Sequence, residues 1–147
     1  MRLEIPGSLR GLEDALAADS GPDGVVLAAD PEPPADWAAL ERELLRFFRA
    51  SREAFESDAP IVYVLSQADL LGQRGALGAM RAGALLSAAR TLALEGARAG
   101  LRVNAVALGE AADPASAATW IRHLLMDGGV SGELVRVDAA HAGKVLP

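Results

Sequence analysis

The sequence contains no cysteine, a single lysine, few aromatic residues and no long hydrophobic run. Without cysteine, its chemistry cannot include disulfides, thiol nucleophiles or thiolate metal ligands. The apolar segments stay below the roughly 18 uninterrupted residues that a membrane-spanning helix needs, and the first residues lack the apolar core of a signal peptide. We therefore expect a cytoplasmic protein with no membrane partner.

Positive charge is also scarce relative to negative charge. Fourteen Lys and Arg residues face twenty Asp and Glu residues, which gives a net charge of −6. Because such a chain without a basic stripe repels phosphate backbones, we expect no nucleic-acid partner. Hydrophobic residues make up 51 % of the 147 residues, a proportion and length that suit one folded domain over residues 1–147.

Short apolar runs alternate with segments of helical periodicity. The runs are 24–29, 60–65 and 101–107, with weaker ones at 2–5 and 133–138. The runs at 24–29 and 60–65 are continuous, as in strands buried on both faces of a parallel sheet. The helical segments are 9–18, 36–55, 77–99 and 115–125. This alternation predicts an α/β fold, a three-layer, doubly wound parallel sheet of about five strands.

Three segments, in this order and spacing, carry a resemblance to a known family. They are 61–72 (IVYVLSQADLLG), 88–109 (AARTLALEGARAGLRVNAVALG) and 131–138 (SGELVRVD). They resemble the patterns IVNISSxAGxxG, LTRALALELAxxGIRVNAVAPG and TGQxLxVDGG of the short-chain dehydrogenases/reductases. The resemblance covers about residues 20–142 and implies a Rossmann-like fold.

The family's first βαβ unit carries a glycine-rich turn, TGxxxGxG, which holds the cofactor pyrophosphate at a helix N-terminus. The resemblance implies that the opening strand and helix here correspond to the family's third strand and the helix after it. We therefore expect an N-terminally truncated member that lacks this turn and binds no cofactor. We also expect Arg2–Ile5 to pair beside residues 25–29, where the family has its first strand, through a right-handed crossover over residues 9–18.

The family's catalytic residues are an Asn, a Ser, a Tyr and a Lys. The Tyr donates a proton to the substrate carbonyl, the Lys lowers the pKa of that Tyr, and the Ser steadies the substrate oxygen. The resemblance places the Tyr at Gly78, or at Ala79 if the loop slips by one, and the Lys at Ala82. It places the Asn near Glu43 or Leu44. Ser66 alone matches, so we expect a vestigial serine and no carbonyl reduction by this chain.

The segment 77–99 is apolar nearly all round, which is typical of a helix in a large core or an interface. In the family, this helix and the one represented by 36–55 form a contact between subunits. We therefore expect a protein partner, either a second copy or a full-length family member that this chain stabilises or regulates. The predicted interface residues are Leu44, Phe48, Leu77, Met80, Ala84, Leu85, Ala88 and Leu92.

The alternative is an NAD(P)-dependent oxidoreductase, or a small-ligand-binding protein, that uses the cleft around Ser66. Asp30 and Asp69 both follow predicted strands and would form a carboxylate pair at that cleft. For Ser66 itself, a role in a turn or as a local helix cap is favoured over a ligand role.

The remaining polar candidates favour structural roles. Tyr63 lies within a predicted strand, where aromatic residues pack well. His123 and His141 are too isolated for a zinc site, which needs three or four ligands. Asn104 follows the start of a predicted strand, as a structural Asn does in the family. No metal is expected.

Overall fold

The computed structural model describes residues 1–6, 9–18, 21, 23–126 and 129–139. Its elements, in chain order, are β1 (Arg2–Glu4), α1 (Arg10–Ala17), β2 (Val25–Ala28), α2 (Trp37–Glu56), β3 (Ile61–Ser66), α3 (Gln67–Leu70), α4 (Ala76–Gly96), a 3₁₀ turn (Ala97–Ala99), β4 (Val103–Leu108), α5 (Pro114–Met126) and β5 (Leu134–Val137). The predicted alternation of strands and helices is confirmed. The sequence pattern does not predict the short helix α3.

The five strands form one parallel sheet in the order β1-β2-β3-β4-β5. Arg2 lies opposite Val25 in the register of the first pair. The predicted pairing of the opening strand beside residues 25–29 is therefore confirmed.

Helices cover both faces of this sheet. The odd-numbered side chains of β2 and β3, such as Val25 and Tyr63, pack against α2 and α4. The even-numbered ones, such as Val26 and Val62, pack against α1 and α5. This arrangement confirms the predicted three-layer architecture, and it explains why β2 and β3 are continuous apolar runs rather than alternating ones.

Strand order and helix placement together determine the relative hand of the crossovers. All strands are parallel and follow chain order across the sheet, yet α1 and α5 lie on the face opposite α2 and α4. Crossovers that advance in the same direction over opposite faces have opposite hands, so two of the four are left-handed. The right-handed crossover through residues 9–18 stays a prediction.

Local signals set the ends of the long helices. The Asp36 side chain accepts a hydrogen bond from the amide of Ala39 at 2.7 Å and caps α2. Gly100 follows α4 and its 3₁₀ turn with a φ of 72°, the left-handed conformation that glycine adopts readily. Among the described helices, none combines the length and the apolar content needed to cross a bilayer.

Candidate functional site

A cavity lies at the carboxyl edge of the sheet because neighbouring connections diverge there. The chain leaves β1 toward one face and β2 toward the other, and it does the same after β4 and β3. Such divergence opens a crevice beyond the strand ends, where ligands of parallel sheets usually bind. The cavity has a volume of about 310 Å³. Its walls are mainly apolar, and its polar lining residues are Asp30, Ser66, Arg74 and Glu110.

Ser66 lines this cavity at the end of β3. Its hydroxyl oxygen accepts a hydrogen bond from the amide of Asp69 at 3.4 Å and caps helix α3. The interpretation of Ser66 as a local cap is therefore confirmed.

Four charged side chains, Glu43, Asp69, Arg74 and Arg81, form an ion cluster next to the cavity. Arg81 donates to Asp69 at 2.6 Å and to Glu43 at 3.1 Å. Arg74 donates to Asp69 at 3.0 Å through Nε. Asp69 and Arg81 are almost completely buried. Burial of these charges is tolerated because two carboxylates balance two guanidinium groups and the geometry supplies direct hydrogen bonds.

The predicted carboxylate pair of Asp30 and Asp69 differs from what the structure contains. Asp69 is buried and bound by two arginines, whereas Asp30 is exposed and accepts a hydrogen bond from the amide of Glu32 at 3.1 Å. Two carboxylates shift each other's pKa only when both face the same site. Arg81 was not among the predicted site residues, although a charged residue in the apolar first half of helix α4 is the signal that could have revealed it.

The cluster fills the space beside the position at which the family has its tyrosine. A Cβ atom added to Gly78 would lie 2.3 Å from Oδ1 of Asp69, far inside van der Waals contact. Ala82, at the lysine position, is buried in the core. A tyrosine at position 78 would therefore require Asp69 to move away from its arginines.

The positions of β1 and α1 can be compared with the sequence interpretation of the opening unit. β1 occupies the place of the family's first strand, and α1 packs on α5 rather than beside α2. Gly11 follows Gly7 with the spacing of the first two glycines of TGxxxGxG, and Glu13 stands at the third glycine. Gly7 lies outside the described residues. The opening strand is thus placed where the family has its first strand, as predicted, and its correspondence to the family's third strand stays a prediction.

A nicotinamide dinucleotide does not fit these residues well. Its pyrophosphate is negatively charged, yet Asp30 and Glu110 line the cavity and Glu13 stands in the first turn of α1. Glu13 already interacts favourably with the positive end of that helix. Arg74, the one cation among the lining residues that the structure describes, is bound to Asp69.

Tyr63 is fully buried beneath α2, where its hydroxyl group shares a hydrogen bond with the Ser51 hydroxyl. Its ring centroid lies 6.3 Å from that of Phe47, so its predicted packing role is confirmed. Burial raises the pKa of Tyr63, and the hydrogen bond with Ser51 partly offsets this rise.

The other polar candidates are placed as follows. The Asn104 side chain donates to the carbonyl of Val130 and accepts from the amide of Glu133, so its structural role is confirmed. The ring of His123 lies edge-on to that of Trp120, with 6.0 Å between the ring centroids. His141 is outside the described residues. Within the ranges that the structure describes, no three acidic or histidine side chains form a group that could hold a metal ion.

A second concave feature, which we call the helical groove, lies between α2 and α4. It has a volume of about 860 Å³. Phe48, which lines the α2 side, is 64 % exposed. The predicted interface residue Met80 is 46 % exposed on α4 but is not among the described residues that line the groove. Leu44, Leu77, Ala84, Ala88 and Leu92, all predicted interface residues, are partly exposed. Leu85 differs, because it is only 2 % exposed and forms part of the core below the groove.

Comparisons with known proteins agree with this architecture. No protein-family model matches the chain, and no curated protein does. Solved structures do match. A citronellol catabolism dehydrogenase (AtuB) of Pseudomonas aeruginosa PAO1 shares 27 % identity at a TM-score of 0.63, over 90 % of this chain and 67 % of that one. The fold is Rossmann-like.

A second structure supports the same fold at lower identity. It is a 4-hydroxyisoleucine dehydrogenase complexed with NADH and succinate, with 18 % identity and a TM-score of 0.64. The match covers 89 % of this chain and 73 % of that protein. Both of these structural neighbours are dehydrogenases, consistent with the resemblance that the sequence motifs indicate.

Proposed function

We propose that this chain is a non-catalytic relative of the short-chain dehydrogenases/reductases that acts by associating with another protein subunit. The observation that carries the proposal is the helical groove, an open apolar surface formed by the two helices that the family uses for subunit contact. A large apolar surface on a folded chain typically marks a contact with another protein.

The ion cluster supports the non-catalytic part of the proposal. Proton transfer to a carbonyl needs a donor within hydrogen-bond reach of the substrate. Position 78 offers only glycine, and the adjacent space holds the Asp69 carboxylate bound to Arg81. Ser66 without such a donor can orient a ligand but cannot complete the reduction.

The same cluster supports the association part by holding the two groove helices together. Arg81 belongs to α4 and Glu43 belongs to α2, and their ion pair is 3.1 Å long. Because Arg81 is buried and also bound to Asp69, this connection fixes how α2 and α4 lie relative to each other. A preformed surface loses less conformational entropy on binding than a mobile one.

The test of the non-catalytic part is a hydride-transfer assay of the purified chain with NADH or NADPH and a panel of ketones. We expect no turnover above the buffer rate, and the Ser66→Ala variant to give the same result. Turnover that disappears in Ser66→Ala would contradict the proposal. A variant of exposed Thr119, Thr119→Ala, controls for preparation effects because Thr119 lies on α5, outside the cavity lining.

A small ligand in the cavity is a second candidate function. It is favoured by the cavity's position at the carboxyl edge and by its apolar walls. A screen of small amphipathic molecules by thermal shift tests it, because a ligand that binds only the folded chain raises the Tm. The shift should be lost when Ala117, which lines the cavity, is replaced in Ala117→Phe. A shift that persists in this variant would exclude the cavity as the binding site.

A further inference from the structure

We propose that the open edge of the sheet at β1 binds an extended segment of another protein, in which acidic residues alternate with apolar ones. This inference goes beyond the proposed function, because it concerns β1 and the side of α2 that does not line the helical groove. The segment pairs with β1 as a further strand. In this mode of binding, main-chain hydrogen bonds supply affinity and side chains supply specificity.

The strand β1 lies at the end of the sheet, and its outer side is open. The amide of Arg2 donates to the carbonyl of Gly24 at 2.8 Å, so the backbone groups of Arg2 point toward β2. Because successive residues of a strand point their backbone groups to opposite sides, the amide and carbonyl of Leu3 point outward. No strand within the described ranges pairs with β1 on that side. Such unpaired groups are a template for another strand.

A concave surface, which we call the edge groove, runs along this open edge between β1 and α2. It consists of two adjoining depressions, the larger of about 680 Å³ and the smaller of about 340 Å³. Both are lined by Glu4 of β1 and by Arg42 and Arg46 of α2. Leu3 and Ile5 also line the larger one. A strand added beside β1 therefore lies along this groove, with α2 on one of its faces.

Charges in the smaller depression select an acidic partner. Three arginines and two glutamates line it. The glutamates, Glu4 and Glu53, are already bound by arginines at 3.5 Å and 2.9 Å. Arg42 and Arg49, by contrast, are exposed and form no ion pair with any residue that the structure describes. In a chain with a net charge of −6, two such arginines are a local positive surface that attracts carboxylates of a partner.

The spacing of these two arginines fits an extended segment. Arg42 and Arg49 are seven positions apart on α2, which is about 10 Å along the helix axis. Side chains on one face of a strand are about 7 Å apart at two residues and about 13 Å apart at four. Alternate carboxylates of the segment can therefore reach both arginines. Because Asp30 and Glu43 line the larger depression, the acidic residues of the partner belong beside the smaller one.

The other face of the added strand meets apolar side chains. Leu3 and Ile5 are partly buried and pack against the core cluster on the α1 and α5 face. Arg2 instead extends to the opposite face, where it donates to the carbonyl of Ala50 in α2. Apolar neighbours on adjacent strands stabilise a sheet. The partner segment therefore carries apolar residues between its acidic ones.

A short fluorescent peptide of alternating glutamate and valine, with blocked ends, tests this inference by fluorescence anisotropy with the intact chain. We expect saturable binding that weakens with salt. The double variant Arg42→Gln/Arg49→Gln should raise the Kd about 2- to 30-fold, the range that two exposed ion pairs contribute. The matched control, Arg90→Gln/Arg98→Gln, removes the same charge from two exposed arginines elsewhere and should leave the Kd unchanged.

Pairing through the backbone has its own test. N-methylation of the valines and N-methylation of the glutamates block opposite edges of an extended peptide, because successive amides point to opposite sides. Only one edge of the peptide faces β1, so one methylated peptide should lose binding and the other should keep it. Loss in both peptides, or in neither, would contradict strand pairing.

Three further results would overturn the inference. The first is the absence of saturable binding to the native chain. The second is equal weakening by the two double variants, or equal binding of a peptide with lysine in place of glutamate, because either would exclude recognition of carboxylates by Arg42 and Arg49. The third is loss of binding in Phe48→Glu, which would place the peptide in the helical groove and leave the proposed function standing.

Discussion

The carboxyl edge of the sheet and the helical groove differ in whether their side chains are bound by other residues of the chain or left exposed. At the edge, Asp69 and Arg81 are buried and bind each other at 2.6 Å, leaving no donor at the family's tyrosine position. In the groove, by contrast, Phe48, Ser87 and Thr91 remain exposed. This contrast supports the proposed function, in which the chain lacks the family's chemistry but keeps the region of its subunit contact.

The largest effect is expected from breaking the ion cluster. Arg81→Met leaves Asp69 buried without its closest cation and Glu43 without its partner. Removing one member of a buried ion pair typically lowers the free energy of unfolding by about 3–5 kcal/mol, and we expect a decrease in this range. Urea denaturation followed by circular dichroism measures it.

Arg74→Gln is the matched control, because it leaves the Arg81–Asp69 pair intact and its own side chain is partly exposed. Arg74→Gln should lower the free energy of unfolding clearly less than Arg81→Met does. Equal losses in the two variants would contradict the central role of Arg81.

A pair of glycine variants in α4 sharpens the same comparison. Gly78→Ala places a methyl group against Asp69, and such overpacking costs about 1–3 kcal/mol. At exposed Gly83, an added Cβ meets nothing within 4 Å, so Gly83→Ala should stabilise the helix by roughly 0.5–1 kcal/mol. The same denaturation experiment measures both. Stabilisation in both variants would show that Asp69 moves freely, which is contrary to its firm binding by Arg81 and Arg74.

The smallest effect is expected at Tyr63, beneath the groove, and it depends on pH. Because burial raises the folded-state pKa of Tyr63 above its ordinary value of 10.0, the fold favours the neutral phenol. The corresponding stability is present below pH 10 and is lost as the pH rises through the raised pKa. Tyr63 is the only tyrosine, so its ionisation can be followed by absorbance near 295 nm.

The pH midpoint of Tyr63 ionisation in the folded chain should lie above that in the urea-unfolded chain. Over this alkaline range, the free energy of unfolding should fall less in Tyr63→Phe than in the native chain. A midpoint equal to that of the unfolded chain would show that the phenol is not protected by the fold.

Much of the fold follows from sequence patterns that act locally. Continuous β-branched runs predict β2 and β3 because both faces of a parallel sheet are covered, and Asp36 and Gly100 mark helix ends through their own backbone preferences. The face occupied by α1 could not be predicted, because it depends on packing against α5, more than 90 residues later in the chain.

The candidate site was less predictable for a similar reason. Asp69 follows a strand and therefore suggested an available carboxylate. Its pairing with Arg81 and Arg74 depends on how α3 and α4 fold onto each other. Leu85 likewise shares the apolar character of the groove residues, and only its position on α4 relative to the sheet places it in the core.

The most direct test of association through the groove is the solution mass of the native chain, compared with two single variants, by light scattering. Phe48→Glu introduces a charge in the helical groove, whereas Trp120→Glu introduces one at an aromatic residue of α5 that is 45 % exposed. We expect a dimer for the native chain and for Trp120→Glu, and a monomer for Phe48→Glu. A native chain that is dimeric and unaffected by Phe48→Glu would contradict association through the groove.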